Sequence, residues 1–118
     1  MRRVDHPEFY SRDLPRLEEE FGNRVAFVEC LEAFDKAIRE ITRNPQEEGA
    51  PLERSPLTTY RKKKFHSQLR PSQGAKADMR IVYRVDIEKD TLYVLGLGKR
   101  RPLDPDDIYA ILNIRSHI

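Results

Sequence analysis

A short basic segment, Tyr60 to His66, contains the residues best suited to chemistry on a phosphate. It reads Tyr-Arg-Lys-Lys-Lys-Phe-His, and we predict that it is a β-strand. Because side chains alternate along a strand, a core-facing Phe65 places Lys62, Lys64 and His66 together on the opposite face, with Tyr60. Crowded ammonium groups repel one another, which lowers the pKa of a lysine towards that of a general base, and an arriving phosphate relieves the repulsion. The alternative is an edge strand whose lysines only prevent aggregation, with His66 as an ordinary surface residue.

Two further groups of cations follow in the chain. Arg80 and Arg84 alternate with apolar residues, so they share one face of a second predicted strand. A third predicted strand runs into Gly96-Leu97-Gly98-Lys99-Arg100-Arg101, where the glycines allow a backbone or a ligand to approach closely. Because one arginine can hold two phosphate oxygens at once, these cations indicate an anion site.

The net charge of +2 conceals an uneven distribution along the 118 residues. Residues 1–54 contain nine Lys or Arg against thirteen Asp or Glu, residues 55–101 contain twelve against four, and residues 102–118 contain one against three. The middle segment therefore carries +8, and the flanking segments carry −4 and −2. Such a concentration is typical of a surface that binds a polyanion, although a merely solvated lysine-rich surface is the alternative.

Two helices are predicted before the basic segment. Apolar residues at helical spacing indicate a first helix from Pro7 to Phe21, ended by Gly22, with a break or kink at Pro15. Asn23 is the predicted cap of the second helix, which Asn44-Pro45 ends. The apolar stripe of that second helix is Val25, Val28, Leu31, Phe34, Ile38 and Ile41.

The rest of the chain predicts a small sheet and a third helix. Pro45 to Pro56 reads as a loop, and Gln68 to Asp78 as a long basic loop. The three predicted strands are Thr58 to about Ser67, Met79 to Ile87, and Thr91 to Gly98, with a polar turn at Glu88-Lys89-Asp90. Asp104-Pro105-Asp106-Asp107 predicts the capped start of a short C-terminal helix. We therefore expect one α+β domain, residues 1–118, in which an N-terminal helical hairpin packs on a small antiparallel β-sheet with a short C-terminal helix.

Composition argues against several classes of protein. No run of some 18 apolar residues predicts a membrane span, and residues 1–7 lack the apolar stretch of a signal peptide, so we expect a cytoplasmic protein. Cys30 is the single cysteine and lies among apolar residues, which predicts a buried, inert thiol. The three histidines, His6, His66 and His117, lack metal-ligand spacing, so we expect no metal and no cofactor.

Two neighbouring segments resemble a known family. They are similar to the C-terminal half of RelE/ParE-type toxins, in which a strand of the form "YRLVYxV" precedes a strand ending in "GKR" or "GHR". The two segments are Met79-Arg80-Ile81-Val82-Tyr83-Arg84-Val85 and Leu92-Tyr93-Val94-Leu95-Gly96-Leu97-Gly98-Lys99-Arg100. The motif covers about twenty residues, and the likeness in element order covers most of the chain.

The resemblance implies roles for particular residues. The family's phosphate-contacting arginines fall on Arg80 and Arg100, and its catalytic tyrosine falls on Tyr109, across an insertion around residues 102–105. Its lysine pair falls on Lys62 and Lys64, with His66 nearby as a second candidate base. If Tyr60 is the anchor instead, the pair becomes Arg61 and Lys63. The further cations expected to contact RNA are Arg61, Lys63, Arg84, Lys99 and Arg101.

For function, the resemblance implies a toxin of a type II toxin–antitoxin module. In the RelE branch such a toxin is a metal-independent endoribonuclease (mRNA interferase) that cleaves mRNA in the ribosomal A site and so inhibits translation. In the ParE branch the same fold resembles an inhibitor of DNA gyrase, and a non-enzymatic basic binding module is the third alternative. The implied partner is a cognate antitoxin bound in a hetero-oligomer, because an acidic or amphipathic segment fits a basic cleft.

Overall fold

The computed structural model describes residues 1–117. In chain order the elements are β1 (Arg2–Asp5), a π-helical turn (Phe9–Asp13), α1 (Leu14–Phe21), α2 (Arg24–Arg43), β2 (Ala50–Pro51), β3 (Arg61–Phe65), β4 (Met79–Asp86), β5 (Thr91–Lys99) and α3 (Ile108–Asn113). Within this described range, no helix combines the length and apolar character that a bilayer crossing requires.

The sheet is mixed and has the strand order β1-β5-β4-β3-β2. β1 runs parallel to β5, and the other neighbours are antiparallel. The α+β class is confirmed, but the expected element order is wrong in two places. A strand precedes the helices, and a two-residue strand interrupts the predicted loop from Pro45 to Pro56. Both missed strands are short edge strands, of four and two residues, and such segments carry little of the alternation by which strands are predicted.

The junction between α1 and α2 follows the predicted signals. Gly22 adopts a left-handed conformation (φ 61°), and its N–H donates to Glu18 O at the end of α1. The side chain of Asn23 then accepts from the N–H groups of Val25 and Ala26, so it caps α2 as predicted. The helix predicted from Pro7 to Phe21 changes its geometry next to Pro15, as expected: Phe9–Asp13 are π-helical and α1 begins at Leu14. Pro15 thus lies in the first turn of α1, where its missing N–H has no α-helical partner.

The buried face of α2 differs from the predicted stripe. Val25 is 76% exposed and Val28 is 39% exposed, so these two positions of the stripe are wrong. The face that enters the core is Phe27, Cys30, Ala33, Phe34, Ala37, Ile38 and Ile41. Cys30 is buried as expected, and burial raises the pKa of its thiol to about 12.

Two hydrophobic cores lie on opposite faces of the sheet. The larger core joins α1 and α2 to one face through residues such as Phe34, Phe65 and Ile81. The smaller core lies on the other face and consists of Leu57, Tyr60, Val82, Leu95, Ile108 and Leu112. Tyr60 packs beneath α3, on the face of the sheet that it was expected to share with Lys62 and Lys64, and it is only 1% exposed.

Side chains complete the outer edge of β5. β1 pairs only with Thr91 to Val94, which leaves the second half of that edge without a neighbouring strand. There Asp13 accepts from Leu97 N at 3.0 Å, Arg16 donates to Leu97 O at 3.1 Å, and Arg115 donates to Leu95 O at 3.1 Å. Arg115 also forms a two-point pair with Asp13 (2.9 and 2.9 Å), so the end of the chain is tied to its beginning.

Candidate nucleic-acid interface

The five residues of β3 divide by face. Phe65 enters the larger core, and Lys63 reaches the same side, where its Nζ lies 2.9 Å from carboxylate oxygens of both Glu40 and Glu48. Burial lowers the pKa of Lys63, but the hydrogen bonds to the two carboxylates raise it by more, so the net shift is upward. Arg61 shares this face and donates to Glu48 O at 2.9 Å. The alternative pair for the family's two lysines, Arg61 and Lys63, is therefore engaged in contacts within the protein.

Lys62 and Lys64 point to the opposite face of the sheet, as strand alternation predicts. Lys64 pairs in register with Arg80 on β4, and Lys62 pairs with Val82. Residues paired in this way have their Cβ atoms about 4.5–5.5 Å apart, so Lys64 and Arg80 are adjacent cations. Within residues 1–117, neither lysine forms an ion pair with a carboxylate.

Arg80 and Arg100 both approach Tyr109 of α3. The guanidinium carbon of Arg100 lies 4.9 Å from the centroid of the Tyr109 ring, a cation–π contact. Burial raises the pKa of Tyr109, while the positive charge of the nearby Arg80 lowers it by less. The two groups lack hydrogen-bond geometry, since the Tyr109 hydroxyl is buried without a partner in the described chain. Arg80 itself is held by its Nη1, which donates to Ala77 O and Met79 O, both at 2.9 Å.

One carboxylate, Asp107, organises this corner. Its Oδ2 lies 2.6 Å from Nη1 of Arg100 and accepts from Tyr109 N at 3.2 Å, while its Oδ1 accepts from Arg101 N. The sequence predicts an acidic cap at the start of α3, and Asp107 is that cap. Its pairing with Arg100 was missed, although the presence of acids shortly after a basic strand end was a usable signal.

The glycines at the end of β5 serve α3. A Cβ atom at Gly96 would lie 2.5 Å from Leu112 Cδ2, and one at Gly98 would lie 2.8 Å from Ile108 Cδ1. Real Cβ atoms do not approach so closely, so the two glycines allow α3 to pack directly on the strand. The close approach that the sequence predicted is therefore made by a helix of the same chain.

The other expected RNA contacts lie elsewhere. Lys99 lies over the ring of Phe21, with 4.2 Å between Nζ and the centroid, and Arg101 pairs with Glu20 at 2.8 Å, so both are held against α1. Arg84 covers the ring of Tyr93 at 4.2 Å, at the far end of β4 from Arg80. His66 follows β3 and is partly exposed. The structure thus brings Lys62, Lys64, Arg80, Arg100 and Tyr109 to one face of the molecule.

The electrostatics of this face are unfavourable in the free protein. Like charges directly opposed across two strands are destabilising, by roughly 0.2–1 kcal/mol per pair. Lys64 and Arg80 form such a pair, and the described residues provide neither with an acidic partner. An anion bound between them removes the penalty and gains charge-assisted hydrogen bonds. The arrangement is chemically suited to hold a phosphate group.

Comparisons with known proteins address the fold. No protein-family model matches the sequence, and a search of curated proteins finds no match. A chain from the crystal structure of the toxin–antitoxin complex RelBE2 from Mycobacterium tuberculosis is similar, with a TM-score of 0.53 and 22% identity over 84% of this chain and 96% of that one. The solution structure of the conserved hypothetical protein HP0892 from Helicobacter pylori has a TM-score of 0.46 and 20% identity, over 84% and 93%. The first likeness shows that this chain shares the fold of a chain in that complex.

Proposed function

We propose that this protein is the toxin of a type II toxin–antitoxin module and acts as a metal-independent, ribosome-dependent mRNA endoribonuclease. The observation that carries the proposal is the opposed pair Lys64 and Arg80, with Lys62 on the same face and Arg100 beside Tyr109. Cations placed next to one another do not stabilise a fold, because they repel each other. A bound phosphate removes that repulsion and gains charge-assisted hydrogen bonds. The fold shared with a chain of the RelBE2 toxin–antitoxin complex supports the same function.

The proposed reaction uses the RNA's own 2′-hydroxyl as the nucleophile. Lys62 or Lys64 removes its proton, with His66 as the second candidate base, and the resulting oxygen attacks the adjacent phosphorus. The bond from phosphorus to the 5′-oxygen then breaks, and an acid protonates that oxygen. Arg80 and Arg100 stabilise the added negative charge, each contributing on the order of 3 kcal/mol. Tyr109 stacks on a nucleotide base, with Arg100 occupying one face of its ring.

The proposal includes two partners and a place of action. In the cytoplasm the protein acts on mRNA in the ribosomal A site. A cognate antitoxin covers the basic face and forms a hetero-oligomer with it. This arrangement is supported by Lys62, Lys64 and Arg80, which have no carboxylate partner within residues 1–117 and whose charge an acidic antitoxin segment would complement.

The test compares two lysine variants in a ribosome-dependent cleavage assay. We expect Lys62→Gln/Lys64→Gln to reduce mRNA cleavage by about 10²–10⁴-fold, the usual contribution of a general base. Lys36→Gln is the matched control, because Lys36 is an exposed lysine of α2 on the far side of the sheet. The thermal melts of both variants should match that of the wild type. Equal cleavage by the double variant and the control would overturn the assignment.

Expression of the wild type separates the proposed function from its alternatives. Cleaved mRNA after induction supports the ribonuclease. Accumulated DNA damage with intact mRNA identifies a gyrase inhibitor instead. Steeply salt-dependent RNA binding without cleavage identifies a non-enzymatic binding module.

A further inference from the structure

Asp107 has more polar contacts than a helix cap requires. A cap uses a side-chain oxygen to accept from one or two backbone N–H groups in the first turn of its helix. Asp107 makes that contact with Tyr109 N at 3.2 Å, and it also accepts from Arg101 N and pairs with Arg100 at 2.6 Å. Its side chain is 6% exposed, so these contacts are shielded from water.

The position of this carboxylate is itself fixed. Asp107 N donates to Asp104 O at 3.0 Å, and Asp107 O accepts from Ile111 N at 3.0 Å, so its backbone belongs to the helix start. The backbone of Arg100 is held from the other side, where its N–H donates to Asp78 O at 2.9 Å just before β4. Arg100 is therefore held at its backbone by Asp78 and at its guanidinium by Asp107.

Arg100 remains available to a ligand despite this pairing. Its side chain is 34% exposed, and only Nη1 is engaged by Asp107. An arginine presents five N–H donors in a planar fork, so the remaining donors can bind a phosphate while Nη1 stays on the carboxylate. Asp107 therefore supports Arg100 in a binding orientation and does not block it.

We infer that Asp107 is a positioning residue, which holds the Arg100 guanidinium and the Tyr109 ring as one preformed unit against the scissile phosphate and its base. The inference rests on the proposed function. Without the pair, Arg100 has the freedom of an ordinary surface arginine and must be ordered each time the transition state forms. Small displacements of a charge-stabilising group cost up to about 10²-fold in rate.

Asp107→Asn separates this role from simple capping. Asparagine caps a helix as well as aspartate, so the fold is retained. An amide carries no charge, so the ion pair with Arg100 is lost even where the amide oxygen takes the place of Oδ2 and keeps the cap to Tyr109 N. Asp106→Asn is the matched control, because Asp106 is an exposed neighbour whose change alters the net charge equally.

The expected result is a split between turnover and binding. In Asp107→Asn the kcat for RNA cleavage falls about 10- to 100-fold, while the Kd for RNA changes no more than in Asp106→Asn. In an Arg100→Ala background the Asp107→Asn change has no further effect on kcat, since the two residues act through one another. An equal loss in both backgrounds, or no loss in either, overturns the inference.

A measurement on the wild type tests the inference without any variant. NMR relaxation of the Arg100 side-chain Nε–H should give an order parameter above about 0.6 in the free protein, as for a rigid group. A flexible Arg100 overturns the inference even if the protein cleaves RNA. If the wild type cleaves no RNA, the proposed function fails instead, and the Arg100 order parameters of the wild type and of Asp107→Asn then decide whether Asp107 positions Arg100.

Discussion

Arg115→Met tests whether the buried pair at the end of the chain holds the fold together. The side chain of Arg115 is 2% exposed, and that of its partner Asp13 is 0% exposed. The variant removes two charge-assisted hydrogen bonds to Asp13 and the donor to Leu95 O, while the methionine fills much of the same volume. Asp13 keeps its ion pair with Arg16 at 3.0 Å and the bond from Leu97 N, but it loses the two-point pair that compensates most of its buried charge.

The expected cost follows from that geometry. Removing one partner of a buried ion pair destabilises a protein by about 3–5 kcal/mol. For a domain of this size, each kcal/mol corresponds to a shift in Tm of about 4 °C, so we expect a decrease of roughly 12–20 °C. Glu8→Gln is the control, because Glu8 approaches Nε of Arg115 at 2.9 Å without hydrogen-bond geometry and is 37% exposed. It should cost less than about 1 kcal/mol.

The assay is urea unfolding followed by circular dichroism, with a double variant as the sharper comparison. Replacing both members of a buried pair with apolar residues usually recovers the stability. Here Asp13→Leu/Arg115→Met should stay at least about 1 kcal/mol less stable than the wild type, because Leu97 N loses its acceptor at the open edge of β5. A single variant that costs under about 1 kcal/mol, or a double variant as stable as the wild type, would refute this account.

Two further perturbations test the packing of the sheet. The raised pKa of Lys63 means that its bonds to Glu48 and Glu40 stabilise the fold at neutral pH and lose that effect as pH rises above about 10.4 through the folded pKa. Lys63→Met should therefore lower the unfolding free energy by about 1–2 kcal/mol at pH 7, and a difference that does not shrink at pH 11 would contradict the assignment. Gly98→Ala should cost about 1–3 kcal/mol, because its Cβ would lie 2.8 Å from Ile108 Cδ1. Ile108→Val, which removes that methyl group, should restore most of the Tm in the double variant, and an unimproved Tm would argue against the clash.

The parts of the fold that the sequence predicts are those with strong local signals. α2 begins at its asparagine cap and ends at Asn44, and β4 and β5 lie within one residue of their predicted bounds. The alternation of β3 correctly separates Lys62 and Lys64 from Phe65. β1 was missed because its pairing is with a strand some ninety residues later, and four mostly polar residues give no local periodicity.

The long-range contact at the edge of β5 and the contacts that organise the candidate site were less predictable. The pair of Asp13 and Arg115 joins positions 102 residues apart, and no local pattern relates them. Asp107 and Arg100 are close in sequence, but an acidic cap and a basic strand end each have a sufficient explanation alone. Asp107 both caps α3 and pairs with Arg100 because of the path of the chain between the two residues, which includes the left-handed Leu103. No local pattern in the sequence predicts that path.

The uneven distribution of charge along the sequence is reflected in the two faces of the sheet. On the face of α1 and α2, every cation expected to contact RNA has a partner from the first 54 residues: Arg61 on Glu48 O, Lys63 on Glu40 and Glu48, Lys99 on Phe21, and Arg101 on Glu20. Acidic residues of the first segment thus pair with the cations Lys63 and Arg101 of the helix face. On the face of α3 the opposed cations Lys64 and Arg80 have no carboxylate partner in residues 1–117. If the acidic partners were distributed evenly over both faces, the unpaired positive charges would be spread around the surface. Here folding places Lys64 opposite Arg80, and both Arg80 and Arg100 approach Tyr109.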